Sequence, residues 1–94
     1  ALTESVLARI DQVESRVKAY LHLDKNLALA AAERADAQLK AGKGGLLCGL
    51  PLSVKDVLCT SNMPTTCGSR MLEGFVPPYD ATVIEKLDAA GAVV

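Results

Sequence analysis

The sequence predicts an α/β fold, and three observations carry that prediction. Apolar residues recur at helical spacing over about 3–16, 25–41 and 80–90. Runs at about 17–23, 50–59 and 92–94 carry the shorter period, or the unbroken apolar character, of strands. The second half reads strand, long loop, helix, strand, the grammar of a crossover onto a parallel or mixed sheet. Composition agrees. Half of the 94 residues are hydrophobic, and only two Tyr and one Phe are aromatic. An Ala-, Leu- and Val-rich chain suits helices and parallel strands better than a small aromatic module. It is also greasy for a stand-alone domain this short, which buries a modest share of its surface. We therefore expect N-terminal helices and the first strands of a larger core, truncated.

The elements follow in order. Val6, Ile10, Val13 and Val17 mark one face of the first helix, with Thr3 as its N-cap and Glu4 in its first turn. The period then becomes two. Val17, Ala19, Leu21 and Leu23 alternate with Lys18, Tyr20 and His22, which predicts a short strand with His22 on its polar side. Asp24 caps the second helix, whose stripe is Leu27, Ala31, Ala35 and Leu39. Gly42 sits where a C′ glycine belongs. The spacing of Gly42, Gly44 and Gly45 fits no phosphate loop.

Leu50 to Cys59 is apolar on both faces: Leu50, Leu52, Val54 and Leu58 on one, Ser53, Lys55 and Val57 on the other. This predicts a strand covered on both sides, with Pro51 at its start. Ser61-Asn62-Met63-Pro64 is turn chemistry, with Asn62 suited to positive φ. A helical turn is expected near Ser69–Leu72. Pro77-Pro78 is a stop. Asp80 then caps a third helix with the stripe Val83, Ile84, Leu87 and Ala90. Gly91 ends it before the strand at 92–94.

Charge and composition exclude several functions. Ten basic and eleven acidic residues are well mixed, for a net charge of −1. No basic run marks a nucleic-acid surface. No apolar stretch approaches the ~20 residues of a membrane span, and no signal peptide is present, although a chain starting at Ala1 leaves targeting open. Cys48, Cys59 and Cys67 are odd in number and lack C-x-x-C spacing, so reduced thiols are expected rather than a disulfide or a zinc site.

Lys55 is the residue whose position carries chemistry. An ammonium in an apolar strand is costly unless paired or deprotonated. Desolvation favours the neutral amine, which is a competent general base. From position alone, a sheet-edge lysine paired with Asp56 is the better reading, and the base the alternative. Ser53 and Ser69 have no histidine partner besides His22, so a Ser-His-Asp triad has little support. The other acids lie at caps or on helix faces.

Gly49-Leu50-Pro51-Leu52-Ser53-Val54-Lys55-Asp56 resembles the G-[IL]-P-x-x-[VIL]-K-D motif of the amidase-signature family. Thr65-Thr66-Cys67-Gly68-Ser69 resembles the T-T-x-[AG]-S that follows it. Residues 71–83, ending Phe75-Val76-Pro77-Pro78-Tyr79-Asp80-Ala81-Thr82-Val83, look like the version found in the A subunit of tRNA-dependent amidotransferases. Upstream, Val17-Lys18-Ala19-Tyr20-Leu21 is similar to the short strand before the family's Ala-rich helix. The likeness covers essentially the whole chain.

That resemblance implies the mixed-sheet amidase-signature fold and a Ser–cis-Ser–Lys mechanism. Lys55 is then the general base and charge relay, and both serines lie in a Gly/Ser-rich segment beyond Val94. It implies glutamine hydrolysis in the cytoplasm, with ammonia passed to a B subunit that converts Glu-tRNA(Gln) or Asp-tRNA(Asn). A C subunit wraps both. No cofactor is expected on this chain; ATP and Mg belong to the B subunit. The chain alone is expected to be inactive and to self-associate. A general small-amide amidase and a non-catalytic assembling fragment are the alternatives. Two positions depart from the pattern: Val57 stands where the family usually has Asn, and Asn62 where the turn usually has Gly.

Overall fold

The computed structural model of the chain describes residues 1–94. Its helices are α1 (Leu2–Val17), α2 (Lys25–Lys40) and α3 (Thr82–Ala89), with one 3₁₀ turn at Arg70–Leu72 between the last two. The α/β expectation holds only in part, because no run of residues forms a strand. The sheet is reduced to one parallel bridge, Pro51 with Val93. Two hydrogen bonds make it: Leu52 N–H donates to Val93 O at 2.8 Å, and Val93 N–H to Leu50 O at 2.9 Å.

The structure corrects the strands expected at 17–23 and 50–59. Val17 belongs to α1, and the chain leaves that helix through Lys18, which takes a left-handed φ of 52° and donates its N–H to Glu14 O. The next stretch has no ladder partner. Its Tyr20 N–H goes instead to the Glu14 carboxylate at 2.8 Å. The alternating pattern describes an extended connection rather than a strand, since a strand exists only through its pairing. In the second run, Leu58 N–H turns back onto Lys55 O at 3.0 Å, so pairing stops soon after Leu52.

Two of the three expected caps differ. Asp24 does cap α2, accepting from Leu27 N–H at 2.9 Å. Thr3 lies inside α1 and is buried, while Ala1 precedes the helix. Ala81, not Asp80, stands at the N-cap of α3. Asp80 Oδ1 instead accepts from Ser61 N–H at 2.6 Å, and Ala81 N–H donates to Cys59 O at 2.8 Å. The 59–61 turn is thereby tied to the start of α3.

The C-terminal ends of α2 and α3 close in the same way. After α2, Gly42 N–H bonds Leu39 O and Lys43 N–H bonds Gln38 O; after α3, Gly91 N–H bonds Asp88 O and Ala92 N–H bonds Leu87 O. This is the Schellman pairing, which needs a left-handed residue at C′. Gly91 also lets backbone meet backbone: a Cβ there would lie 3.0 Å from Cys48 Cα. At Gly45 a Cβ would lie 2.6 Å from Ala90 O. Leu47 N–H reaches Ala90 O and Gly49 N–H reaches Gly91 O, so residues 45–49 are laid on the end of α3.

The molecule measures 44 × 32 × 18 Å. Its smallest dimension is less than two helix diameters, so little can be covered on both sides. Only nine residues are buried, with Leu7, Ala35, Ile84, Ala92 and Val93 as the hydrophobic core. The α1 stripe is rotated from expectation. Leu7 is buried, and Val17, the last residue of the helix, is 61% exposed. Leu39 and Val83 likewise face outward. No helix is long and apolar enough to cross a membrane.

Candidate active site

The connection between α1 and α2 faces the stretch that follows the Pro51 bridge. Ala19–Asp24 and Leu52–Leu58, together with Ala28, Thr60, residues 63–65, 67 and 68 and Val94, line a cleft of about 450 Å³. Twelve of its 21 lining residues are hydrophobic. Volume and character are those of a small-molecule site: apolar walls with a few polar groups.

The polar groups of the 52–58 wall are Ser53, Lys55 and Asp56. Ser53, Lys55 and Val57 are exposed, while Leu52, Val54, Asp56 and Leu58 are partly buried. Exposure thus alternates along 52–58, although the ladder does not form and residues 55–58 close a turn. Lys55 lies exposed on the cleft wall. This corrects the expectation of an amine enclosed by apolar side chains. The sheet that would enclose it does not form over 53–58 in this chain. Ser53 Oγ is hydrogen-bonded to Tyr20 Oη at 2.7 Å, joining the two walls. His22 is exposed and lines the same cleft.

Lys55 is not paired with Asp56. The ion pairs of the chain are the Ala1 amine with Glu4 and Lys25 with Asp11. The Asp56 carboxylate is committed elsewhere. Its Oδ1 accepts from Thr66 N–H at 2.8 Å, and its Oδ2 accepts from the Thr66 hydroxyl and, at 3.3 Å, from Gly68 N–H. The Asp56 carbonyl accepts from Cys67 N–H at 2.9 Å. Three consecutive backbone N–H groups thus converge on one residue. The Thr66 hydroxyl and then the Thr66 amide hold this carboxyl below the usual carboxylate range against the opposing effect of burial, with the Gly68 amide adding the least.

Sequence reasoning missed this clamp. The signal was available in the two motif blocks, an Asp directly after the lysine and a Thr-x-Gly ten residues on. Their spacing alone does not say that the second folds back on the first. It also missed Cys67, which takes a left-handed φ of 52°, whereas Asn62, the expected positive-φ residue, does not. Buried Thr60 and Thr65 add a second tie, with Thr65 N–H on Phe75 O at 2.9 Å and both hydroxyls on Leu58 O.

A family model described as Amidase matches residues 1–94. The chain belongs to the amidase family. Relatives of this amidase chain include the A subunit of glutamyl-tRNA(Gln) amidotransferase from Desulfosudis oleivorans, 56% identical over 93 residues, which covers 99% of this chain and 19% of that protein. The protein of the same name from Rhodopirellula baltica is 57% identical over 89 residues, covering 94% and 18%. That from Chloroflexus aurantiacus is 55% identical over 94 residues, covering 99% and 19%. The amidase chain thus spans about a fifth of the length of these relatives. Among solved structures, a chain from a vestigial protein complex bearing on the evolutionary origins of an s-triazine catabolic enzyme superposes with a TM-score of 0.90. It is 29% identical and covers 98% of this chain and 21% of that one.

Proposed function

We propose that this chain is the lysine-bearing part of a glutamine amidohydrolase subunit in a tRNA-dependent amidotransferase, with Lys55 as its proton acceptor. The observation that carries the reading is identity of 51–57% over nearly the whole chain to proteins of that name. The position of Lys55 on the wall of a small-molecule cleft supports it. In this reading a serine from the longer part of the subunit, held in a cis peptide, gives its proton to the Lys55 amine. It activates a second serine, which attacks the amide carbon of glutamine. The C–N bond breaks, ammonia leaves, and water frees glutamate from the acyl-enzyme. Backbone N–H groups beside the nucleophile hold the oxyanion.

The partners in this reading are the B and C subunits. Glutamine is bound directly and tRNA only through the complex. The B subunit, with its ATP and Mg, uses the ammonia to convert Glu-tRNA(Gln) or Asp-tRNA(Asn) to Gln-tRNA(Gln) or Asn-tRNA(Asn), in the cytoplasm. Residues 1–94 alone are inactive. They also self-associate, because thirteen large apolar side chains are exposed, Leu46 at 97% and Met71 at 94% among them.

The test is ammonia release by the full-length subunit carrying this segment, with and without its partner subunits, from glutamine and from a simple aliphatic amide. Glutamine should be preferred, and the 94-residue chain should release none. Preference for the simple amide without partners would make the protein a general amidase. Ammonia from the 94-residue chain would contradict the assignment of the serines.

A further inference from the structure

We propose that Asp56 is the positioning residue of this site: it holds the 66–68 loop in a strained fold on its own carboxylate and carbonyl, directly beside Lys55, and thereby fixes where the lysine side chain starts. The inference rests on the proposed role of Lys55 and adds a second residue to it.

Lys55 is exposed on the cleft wall. Asp56, the next residue, enters the turn that Leu58 N–H closes on Lys55 O and bonds the 66–68 loop. The loop takes two left-handed residues in succession, Cys67 at 52° and Gly68 at 69°. For cysteine that conformation costs free energy, and it persists only where neighbours over-determine it. Asp56 supplies that constraint. Its carboxylate accepts the amides of residues 66 and 68 and the Thr66 hydroxyl, its backbone carbonyl accepts the Cys67 amide, and Thr66 Oγ1 also accepts from Gly68 N–H at 3.2 Å. So many donors call for a carboxylate. An amide side chain at the same position keeps one carbonyl oxygen and points an NH₂ donor at a cluster made mostly of donors.

The consequence for Lys55 is direct. A carboxylate spent on the loop is not spent as a counter-ion, so the lysine gains a fixed backbone anchor without gaining an ion pair. The loop also supplies Cys67 and Gly68 to the wall of the cleft. Loss of the clamp loosens the wall and the lysine anchor together, and small misplacements of a reacting group are expensive in rate.

The test uses the full-length subunit carrying this segment. Asp56→Asn should lower kcat for ammonia release about 100-fold, with KM changed less than about threefold. Amide hydrogen exchange at residues 66–68 should accelerate at least about tenfold while α2 and α3 keep their protection. Cys67→Gly removes the strain, so added to Asp56→Asn it should restore part of kcat. Thr66→Val deletes only the hydroxyl and should act in the same direction, about three- to tenfold, covering the case in which Asp56→Asn does not fold. Unchanged exchange in Asp56→Asn would overturn the clamp while leaving the Lys55 reading intact. Faster exchange with unchanged kcat would overturn the positioning role. Full activity of Lys55→Ala would instead overturn the function on which both rest.

Discussion

Residues 45–49 and residues 65–69 are turns of the same length, each laid on another part of the chain, and they are held by different chemistry. The first is fixed by backbone against backbone. Leu47 and Gly49 donate to Ala90 and Gly91, and Gly45 and Gly91 leave no room for a side chain. No ionisable group takes part in these backbone bonds. The second is fixed chiefly by an aspartate, with two amides and a hydroxyl on the Asp56 carboxylate and a third amide on its carbonyl. The first should fail when atoms are added and ignore pH. The second should fail when a charge is removed. The framework uses shape, and the loop beside the cleft uses charge.

Gly91→Ala should sharpen this contrast most. It places a Cβ 3.0 Å from Cys48 Cα at a φ of +83°. Left-handed strain and overlap together should cost about 3 kcal/mol, read as a shift in the denaturant midpoint. A shift below ~1 kcal/mol would mean that the 45–49 turn moves aside freely.

Acid comes next. The folded-state pKa of Asp56 lies below its unfolded value. Its contribution to stability is therefore complete above the unfolded carboxylate value of ~3.9 and is lost as pH falls through the depressed folded value. Hydrogen exchange at residues 66–68 should accelerate below about pH 4, and the same step should be absent in Asp56→Asn. Exchange at Leu47 and Gly49 should show no such step. Equal acid sensitivity of the two turns would remove the distinction.

The smallest effects concern α2. Asp24→Ala removes the cap on Leu27 N–H and should cost about 1 kcal/mol. Lys25→Ala, which breaks an exposed pair with Asp11, should cost less than about 0.5 kcal/mol in chemical denaturation.

The same contrast explains what was legible in the sequence. Helix positions and the Asp24 cap were readable because they depend on residues within a few positions of one another. Gly42 and Gly91 were readable for the same reason. The parallel approach of 50–59 to 92–94 followed from the order of elements, but its reduction to one bridge did not, because pairing depends on neighbours no local pattern names. Asp80 illustrates the general difficulty. Its type and place fit a helix cap, yet a tertiary partner, Ser61 N–H, takes its oxygen. Lys55 was legible as the residue of interest, its motif identified the family, and an exposed sheet-edge position was the reading favoured from position alone, while the absence of its expected pairing with Asp56 was not legible. Asp56 stands in the same motif, but its function lies in a contact to residues ten to twelve positions away.

The central claim is that the amine of Lys55 takes a proton during glutamine hydrolysis. Its most direct test is the kcat for ammonia release by Lys55→Ala in the full-length subunit with its partners present. The expected result is a fall of roughly 10²- to 10⁴-fold with an unchanged melting temperature. Turnover within about threefold of the wild type would contradict the claim and leave Lys55 as a surface residue of a familiar fold.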